Sequence, residues 1–151
     1  MDIDQFTDHV CYWMRAFGQN VPDQITNPES NVRLLRNALL REEVDELLNA
    51  KTPADVLDAI ADILVVAAGA AADAGIDGYT LQAHLHDVLE ANDRKRWSVS
   101  LRSKIPPGSI VNEAERGLLV VRRPDGKILK PPGWVAPDAQ KHIDAQMRRE
   151  A

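Results

Sequence analysis

Two stretches of helical apolar periodicity, joined by a link too short for anything but a reversal, constrain this chain more than any other feature. In the first, Val32, Leu35, Leu39, Leu40, Val44, Leu47 and Leu48 recur at helical spacing and predict a helix from about residue 31 to residue 50. Ser30 or Asn31 is available to cap its first turn. The second opens on KTPADV, with Thr52 as N-cap, Pro53 at the first helical position where its missing N–H costs nothing, and Asp55 three residues after the cap. It is apolar nearly all round and runs to about Asp73, ahead of Gly75. Helices connected by a link as short as NAKTPAD pack antiparallel.

Against that apolar frame the octapeptide REEVDELL, residues 41 to 48, is out of place, because Glu42, Glu43, Asp45 and Glu46 crowd into a helix that needs an apolar stripe. At about 100° per residue, Glu43 falls in the middle of that stripe, within roughly 60° of Val32, Leu39, Leu40 and Leu47. Glu46 lies about 60° to one side, Glu42 at the border, and Asp45 on the far side. On the following helix Asp58 and Asp62 share one face with Val65, Val66 and Gly69. An antiparallel pair therefore turns two sets of acids toward each other.

Clustered carboxylates out of water are costly and raise one another's pKa, so they need divalent cations, basic partners or protonation. Oxygen ligands without His or Cys among them select hard ions, Mg²⁺ or Mn²⁺. A metal cage is the preferred reading of Glu43, Glu46, Asp58 and Asp62. The plainer alternative is a solvated face or an ion-pair ladder using Arg33, Arg36 and Arg41, although the helix of Asp58 and Asp62 offers no basic neighbour at helical spacing. A di-iron bundle would require Glu-x-x-His on two helices; no Glu stands three residues before His84 or His86. Those two, with His9 and His142, read as structural or surface residues.

Elsewhere, Ile3, Phe6, Val10, Trp13 and Met14 predict a first helix over residues 3 to 17, followed by a Pro- and Asn-rich loop. A fourth helix is expected from Thr80 to Trp97. Beyond it LLVVRRPDGKILK alternates around a PDG turn and predicts a short hairpin, and PDAQKHIDAQMRRE predicts a charged helix, peripheral or held by a partner chain. The expected fold is an all-α bundle of four core helices with a C-terminal loop and hairpin tail. It forms one domain over 1–151, its core reaching about residue 97.

A net charge of −5 excludes non-specific binding to a nucleic-acid backbone. The longest apolar run, ILVVAAGAAA, is too short for a bilayer-spanning helix, which needs about 20 residues. The single cysteine, Cys11, forms no intrachain disulfide, and with no apolar leader at MDIDQFTDHV the expectation is a cytoplasmic protein, in the host cytoplasm if phage-encoded.

LLREEVDELLNA followed by DVLDAIADILVVAAGAAADAGID resembles the all-α nucleoside triphosphate pyrophosphohydrolases, the MazG-like group that includes the phosphoribosyl-ATP pyrophosphohydrolases and the dimeric dUTPases. The pattern of that group is EExxE on one helix and an acid followed by Asp on the next, holding Mg²⁺. Glu43 and Glu46 match its first part, with Glu42 as flanking acid, and Asp62 matches its last. Ala59 stands where the group usually has Glu; Asp58, one residue earlier, still faces the same way. A phage and bacterial branch with this spacing also carries Asn-x-x-Lys on the next helix and a tail similar to RRPDGKILKPPGWVAPD, and here ANDRKRW supplies Asn92 and Lys95.

The resemblance, over roughly residues 30 to 138, implies cleavage of a (d)NTP between the α and β phosphates with two or three Mg²⁺ ions, which Mn²⁺ can replace. It implies that Glu43, Glu46, Asp58 and Asp62 hold the ions and that Glu42 or Glu43 takes the proton of the attacking water. Asn92, Lys95 and Arg96 would meet sugar and phosphate, and Lys127, Lys130 and Trp134 would close over the substrate. Trp97 or Trp134 could stack on the base, although a tryptophan at such places is more often there for packing. The branch points to dGTP or GTP, with house-cleaning of a modified nucleotide equally open, and the group to a homodimer or homotetramer. The rival from another class is a non-catalytic helical adaptor that self-associates through its apolar third helix.

Overall fold

Asp2 accepts a hydrogen bond from the Gln5 amide at 2.9 Å and so starts α1 (Ile3–Ala16). The computed structural model describes residues 2 to 151, and α1 is followed by α2 (Ser30–Asn49), α3 (Pro53–Asp73) and α4 (Gly78–Asp93). Three short strands come next, β1 (Trp97–Ser98), β2 (Ile110–Glu113) and β3 (Leu118–Arg122), and α5 (Gln140–Glu150) ends the chain. By contacts the chain divides into two units, one running to Ala83 and including Ala139–Ala151, the other His84–Asp138. The helical class is as expected, with a small sheet in the second unit. No single helix among the described residues is long and apolar enough to cross a membrane.

In the first unit α3 is the central rod. Its capping box is complete: Thr52 Oγ1 accepts from the Asp55 amide at 3.1 Å, and Asp55 Oδ2 accepts from the Thr52 and Lys51 amides at 2.9 and 3.0 Å. These amides hold the Asp55 carboxyl below the usual range, so this acid is explained as structure. Ala68 and Ala72 of α3 meet Val10 and Met14 of α1 in the core, with Phe6, Cys11 and Val21 packed around them. The small side chains let the helices approach closely, and Met14, wholly buried, contributes about 1.5–3 kcal/mol by its burial.

Several boundaries differ from expectation. Neither Ser30 nor Asn31 caps α2: Glu29 holds that position without a side-chain hydrogen bond, and Ser30 is the first helical residue. Helix α4 starts two residues before Thr80, because Asp77 Oδ1 accepts from the Thr80 amide at 2.7 Å and acts as its cap. It stops at Asp93 rather than reaching Trp97. Trp97 is instead in β1, 2% exposed, its indole N–H donating to the Leu129 carbonyl at 3.0 Å.

In the second unit Trp97, Leu119 and Val121 form the sheet's core, with Leu101, Ile105 and Leu129 against it. The strand order is β1-β3-β2, all antiparallel, pairing Trp97 with Leu119 and Val111 with Val121. The PDG turn is present: Arg123 N–H donates to Lys127 O at 2.9 Å, Gly126 N–H to Arg123 O at 2.9 Å, and Gly126 takes φ +90°, which favours glycine. Its return arm makes only an isolated bridge, Arg122 to Ile128. The strands that β3 mainly uses, β1 and β2, were not foreseen; two and four residues are too few to show an alternation.

The C-terminal helix is not peripheral. Gln146, 1% exposed, donates to Gly75 O at 2.7 Å and accepts from the Asp77 amide at 3.1 Å. Arg149 reaches Asp77 and Thr80 at 2.8 and 3.0 Å. The burial of Asp77 opposes ionisation, but hydrogen bonds from Thr80 and Arg149 outweigh it and hold the carboxyl below its ordinary value. Replacing Gln146 with Ala strands a buried carbonyl and amide and is expected to cost about 1–3 kcal/mol in urea unfolding; a loss below 0.5 kcal/mol would show that water replaces both bonds.

Candidate metal centre

The α2–α3 hairpin positions the acids. Glu43 and Glu46 on α2 and Asp62 on α3 each offer a carboxylate oxygen, all within 4.8 Å of one another. Glu43 is half-buried and the other two are exposed. The structure thus brings the two helices' acids together as the wheel arithmetic predicted, but on an open face rather than in a buried cage. Asp58 is not in this trio, although it lies near enough for its charge to act on Glu43. Glu42 lines a shallow depression on α2 together with Arg41, Asp45, Asn49 and Glu46 of the trio.

The ion-pair ladder does not form. Arg36 turns the other way and pairs with Asp73 through two bonds, Nε to Oδ2 at 2.8 Å and Nη2 to Oδ1 at 3.1 Å. Among the described residues no Lys, Arg or His stands within salt-bridge distance of Glu42, Glu43, Glu46, Asp58 or Asp62. The effect is visible at Glu43, whose pKa is raised, first by partial desolvation and then by the charges of Glu46, Asp62, Glu42 and Asp58. An all-oxygen donor set carrying uncompensated negative charge fits a hard divalent cation.

The expected substrate-binding residues lie in the second unit, and part of the set converges. Lys95 Nζ donates to Asn92 Oδ1 at 2.6 Å. Lys130 Nζ stands 4.0 Å and Lys95 Nζ 5.9 Å from the centre of the Trp134 ring, whose N–H is fixed on the Ala91 carbonyl at 2.7 Å. Two ammonium groups thus lie at one indole, with that of Lys130 over its ring. Arg96 is outside it, 3.7 Å from Asp93, and Lys127 sits in the PDG turn with its amide on Asp125. The burial of Trp97 in the sheet removes it as a base-stacking residue.

The family model for phosphoribosyl-ATP pyrophosphohydrolase matches residues 10–88, just over half of the chain. The chain belongs to this family. Membership brings nucleotide pyrophosphohydrolase chemistry as a class, and the matched span holds all four expected metal-binding acids while Asn92 and the residues after it fall outside. A search of curated proteins returns no match.

What reading the sequence missed is the partnership of Arg36 and Asp73, since Arg36 was expected near the acidic run. The available signal was Asp73 itself, a lone charge in AAADAG at the end of an apolar helix.

Because the Glu43 pKa is raised, the stability linked to it is present below the unfolded value and lost as pH rises through the folded value. At neutral pH its charge therefore opposes the fold until a cation offsets it. Glu43→Gln is expected to raise the melting temperature of the metal-free protein at neutral pH, to do so less below the carboxylate range, and to abolish the rise produced by MgCl₂ or MnCl₂. Thermal scans at the two pH values check all three.

Proposed function

We propose that the whole chain works as one Mg²⁺-dependent nucleoside triphosphate diphosphatase domain of the MazG-like type, converting a (d)NTP to the monophosphate and pyrophosphate. Guanine nucleotides, dGTP and GTP, are the first substrates to try, on the likeness of the tail to that branch. The observation that carries the reading is the meeting of Glu43, Glu46 and Asp62 across two helices with no basic side chain between them. Glu43, Glu46 and Asp62 hold two or three ions, with Asp58 one turn away as a further ligand. Divalent cations bound there would neutralise the triphosphate and acidify a water. Glu43, with its raised proton affinity, suits removal of a proton from that water, and Glu42 is the second candidate for the role. Asn92, Lys95, Lys130 and Trp134 supply positive charge and a flat face to the substrate, with Arg96 and Lys127 adding charge.

The test is a panel of dNTPs and NTPs with Mg²⁺ or Mn²⁺, scored for monophosphate plus pyrophosphate. Glu46→Ala and Asp62→Ala are each expected to lower turnover by more than about 100-fold, since losing even a supporting group of a metal ligand costs 10- to 100-fold. Equal traces from wild type and both variants would leave the adaptor reading.

A homodimer or homotetramer completes the proposal. Leu34, Leu35 and Leu48 of α2 and Leu57, Ile60 and Leu64 of α3 are exposed, and exposed apolar side chains that gather into a patch mark interaction surfaces. The same surface is what a self-associating adaptor would present, and only the Mg²⁺-dependent release of pyrophosphate separates the two. Sedimentation is expected to show a dimer or tetramer that Leu57→Glu, at a position 71% exposed in the single chain, shifts toward monomer. A wild-type monomer at micromolar concentration would refute it.

A further inference from the structure

Apolar packing specifies the alignment of α2 on α3 only weakly. Helix α2 buries no residue completely, and the buried positions of α3 are, apart from Asp73, the small residues Ala59, Ala68, Gly69 and Ala72. Small side chains supply no deep ridges and grooves to hold one alignment against its neighbours. At the end of the pair away from the short link, a cleft of about 550 Å³ opens between the loop after α1, the first turns of α2 and the end of α3, so close packing does not fix that end either. One directional contact remains. Among the described residues no ion pair or side-chain hydrogen bond other than that of Arg36 with Asp73 joins the two helices.

We infer that Arg36 and Asp73 are positioning residues of the metal centre: their pairing sets the register that opposes Glu43 and Glu46 to Asp62, and so governs cation affinity from two turns away. The inference rests on the metal-dependent reading above and deepens it, by naming the residues outside the acid cluster on which the cluster's geometry depends.

The helical register carries the argument. Arg36 precedes Glu43 by seven residues on α2, and Gly69 follows Asp62 by seven on α3. Seven residues are nearly two turns, about 10.5 Å, so Arg36 stands opposite Gly69 when Glu43 stands opposite Asp62. An added Cβ at Gly69 would lie 2.3 Å from Arg36 Nη1, which puts the guanidinium directly on the α3 backbone. Side chains lean toward the N-terminus of their own helix. In antiparallel packing that direction is toward the C-terminus of α3, and Arg36 accordingly reaches one turn past Gly69 to Asp73. There Nε donates to Oδ2 at 2.8 Å and Nη2 to Oδ1 at 3.1 Å, with the two side chains only 13% and 6% exposed. Met14, wholly buried, backs the guanidinium with its sulfur 3.9 Å from Nη2.

A two-pronged pair shielded from water accepts one geometry, because displacing either helix strands a buried charge. A slip of one turn, about 5.4 Å, would break the pair. It would also exceed the 4.8 Å within which the carboxylate oxygens of Glu43, Glu46 and Asp62 lie.

The experiment separates positioning from stability. Mn²⁺ alone is titrated by calorimetry into wild type, Arg36→Met, Asp73→Leu, the double variant Arg36→Met/Asp73→Leu and Gly69→Ala, and melting temperature and (d)NTP kinetics against Mn²⁺ concentration are measured on each. The single variants leave one charge buried alone and should melt early. The double variant removes both charges and is expected to melt near wild type, yet to bind Mn²⁺ about tenfold more weakly, the low end of what losing a supporting group costs a metal site. Gly69→Ala favours the helix but displaces the guanidinium, so it should weaken Mn²⁺ binding without lowering the melting temperature, and it carries the test if the double variant does not fold. In turnover, the Mn²⁺ concentration giving half the maximal rate should rise by the same factor, while KM for the nucleotide at saturating Mn²⁺ stays unchanged. Wild-type Mn²⁺ affinity in the double variant, or in Gly69→Ala in its place, overturns the inference and leaves the pair a structural one. A raised nucleotide KM with unchanged Mn²⁺ affinity overturns it as well, by moving the effect to a ligand in the cleft. If Mn²⁺ binds wild type and the variants lose it, yet no nucleotide is hydrolysed, the positioning role stands and the hydrolase reading falls. If wild type binds no Mn²⁺, the metal centre falls and takes the inference with it.

Discussion

The antiparallel register of α2 against α3 is the constraint on which the rest of this molecule depends. It is set locally by the capping box at Thr52 and Asp55, which ends the short link and aims α3. It is locked at the other end by Arg36, which spans the helix pair to Asp73 and lies over a residue without a side chain, Gly69. A buried ion pair of this kind adds little net stability, because desolvation offsets most of the attraction, but it tolerates only one alignment. One turn of slippage would part Arg36 from Asp73 and Glu43 from Asp62 together.

That register explains why the acids are left charged and close. None of the α2 residues is fully buried, and the helix is held along one side only. Its acids consequently sit at an open face, and among the described residues no arginine pairs with them to relieve the repulsion. The exposed apolar side chains of the same two helices are the other consequence: the helix pair that carries the acids also has apolar area still to cover.

Much of this was legible in the chain. The 3.6-residue period located α1, α2 and α3 to within a residue or two, and TPAD announced the start of α3 to the residue, since caps are made by side chains on the amides next to them. The convergence of Glu43, Glu46 and Asp62 followed from helical spacing and one short link. Where reading failed, the partner was remote or the element was short. Trp97 looked like the end of a helix because nothing local shows that Leu119, more than twenty residues on, would take it into a sheet. Gln146 looked like a surface residue in a charged helix, yet its amide satisfies the backbone of residues 75 and 77.

By itself, then, the sequence determined the helices, the face each acid occupies on its own helix, and the oxygen-only character of the candidate ligands, all of which depend on neighbours within a turn or two. Only the tertiary structure decided that Arg36 belongs to Asp73 and not to the acidic run, that Asp58 falls outside the closest trio, that the acids meet at an open face, and that a cleft opens two turns away. Those outcomes depend on which side chains meet across a packed interface. A shift of a single turn would change every one of them without altering the helical period that the sequence displays.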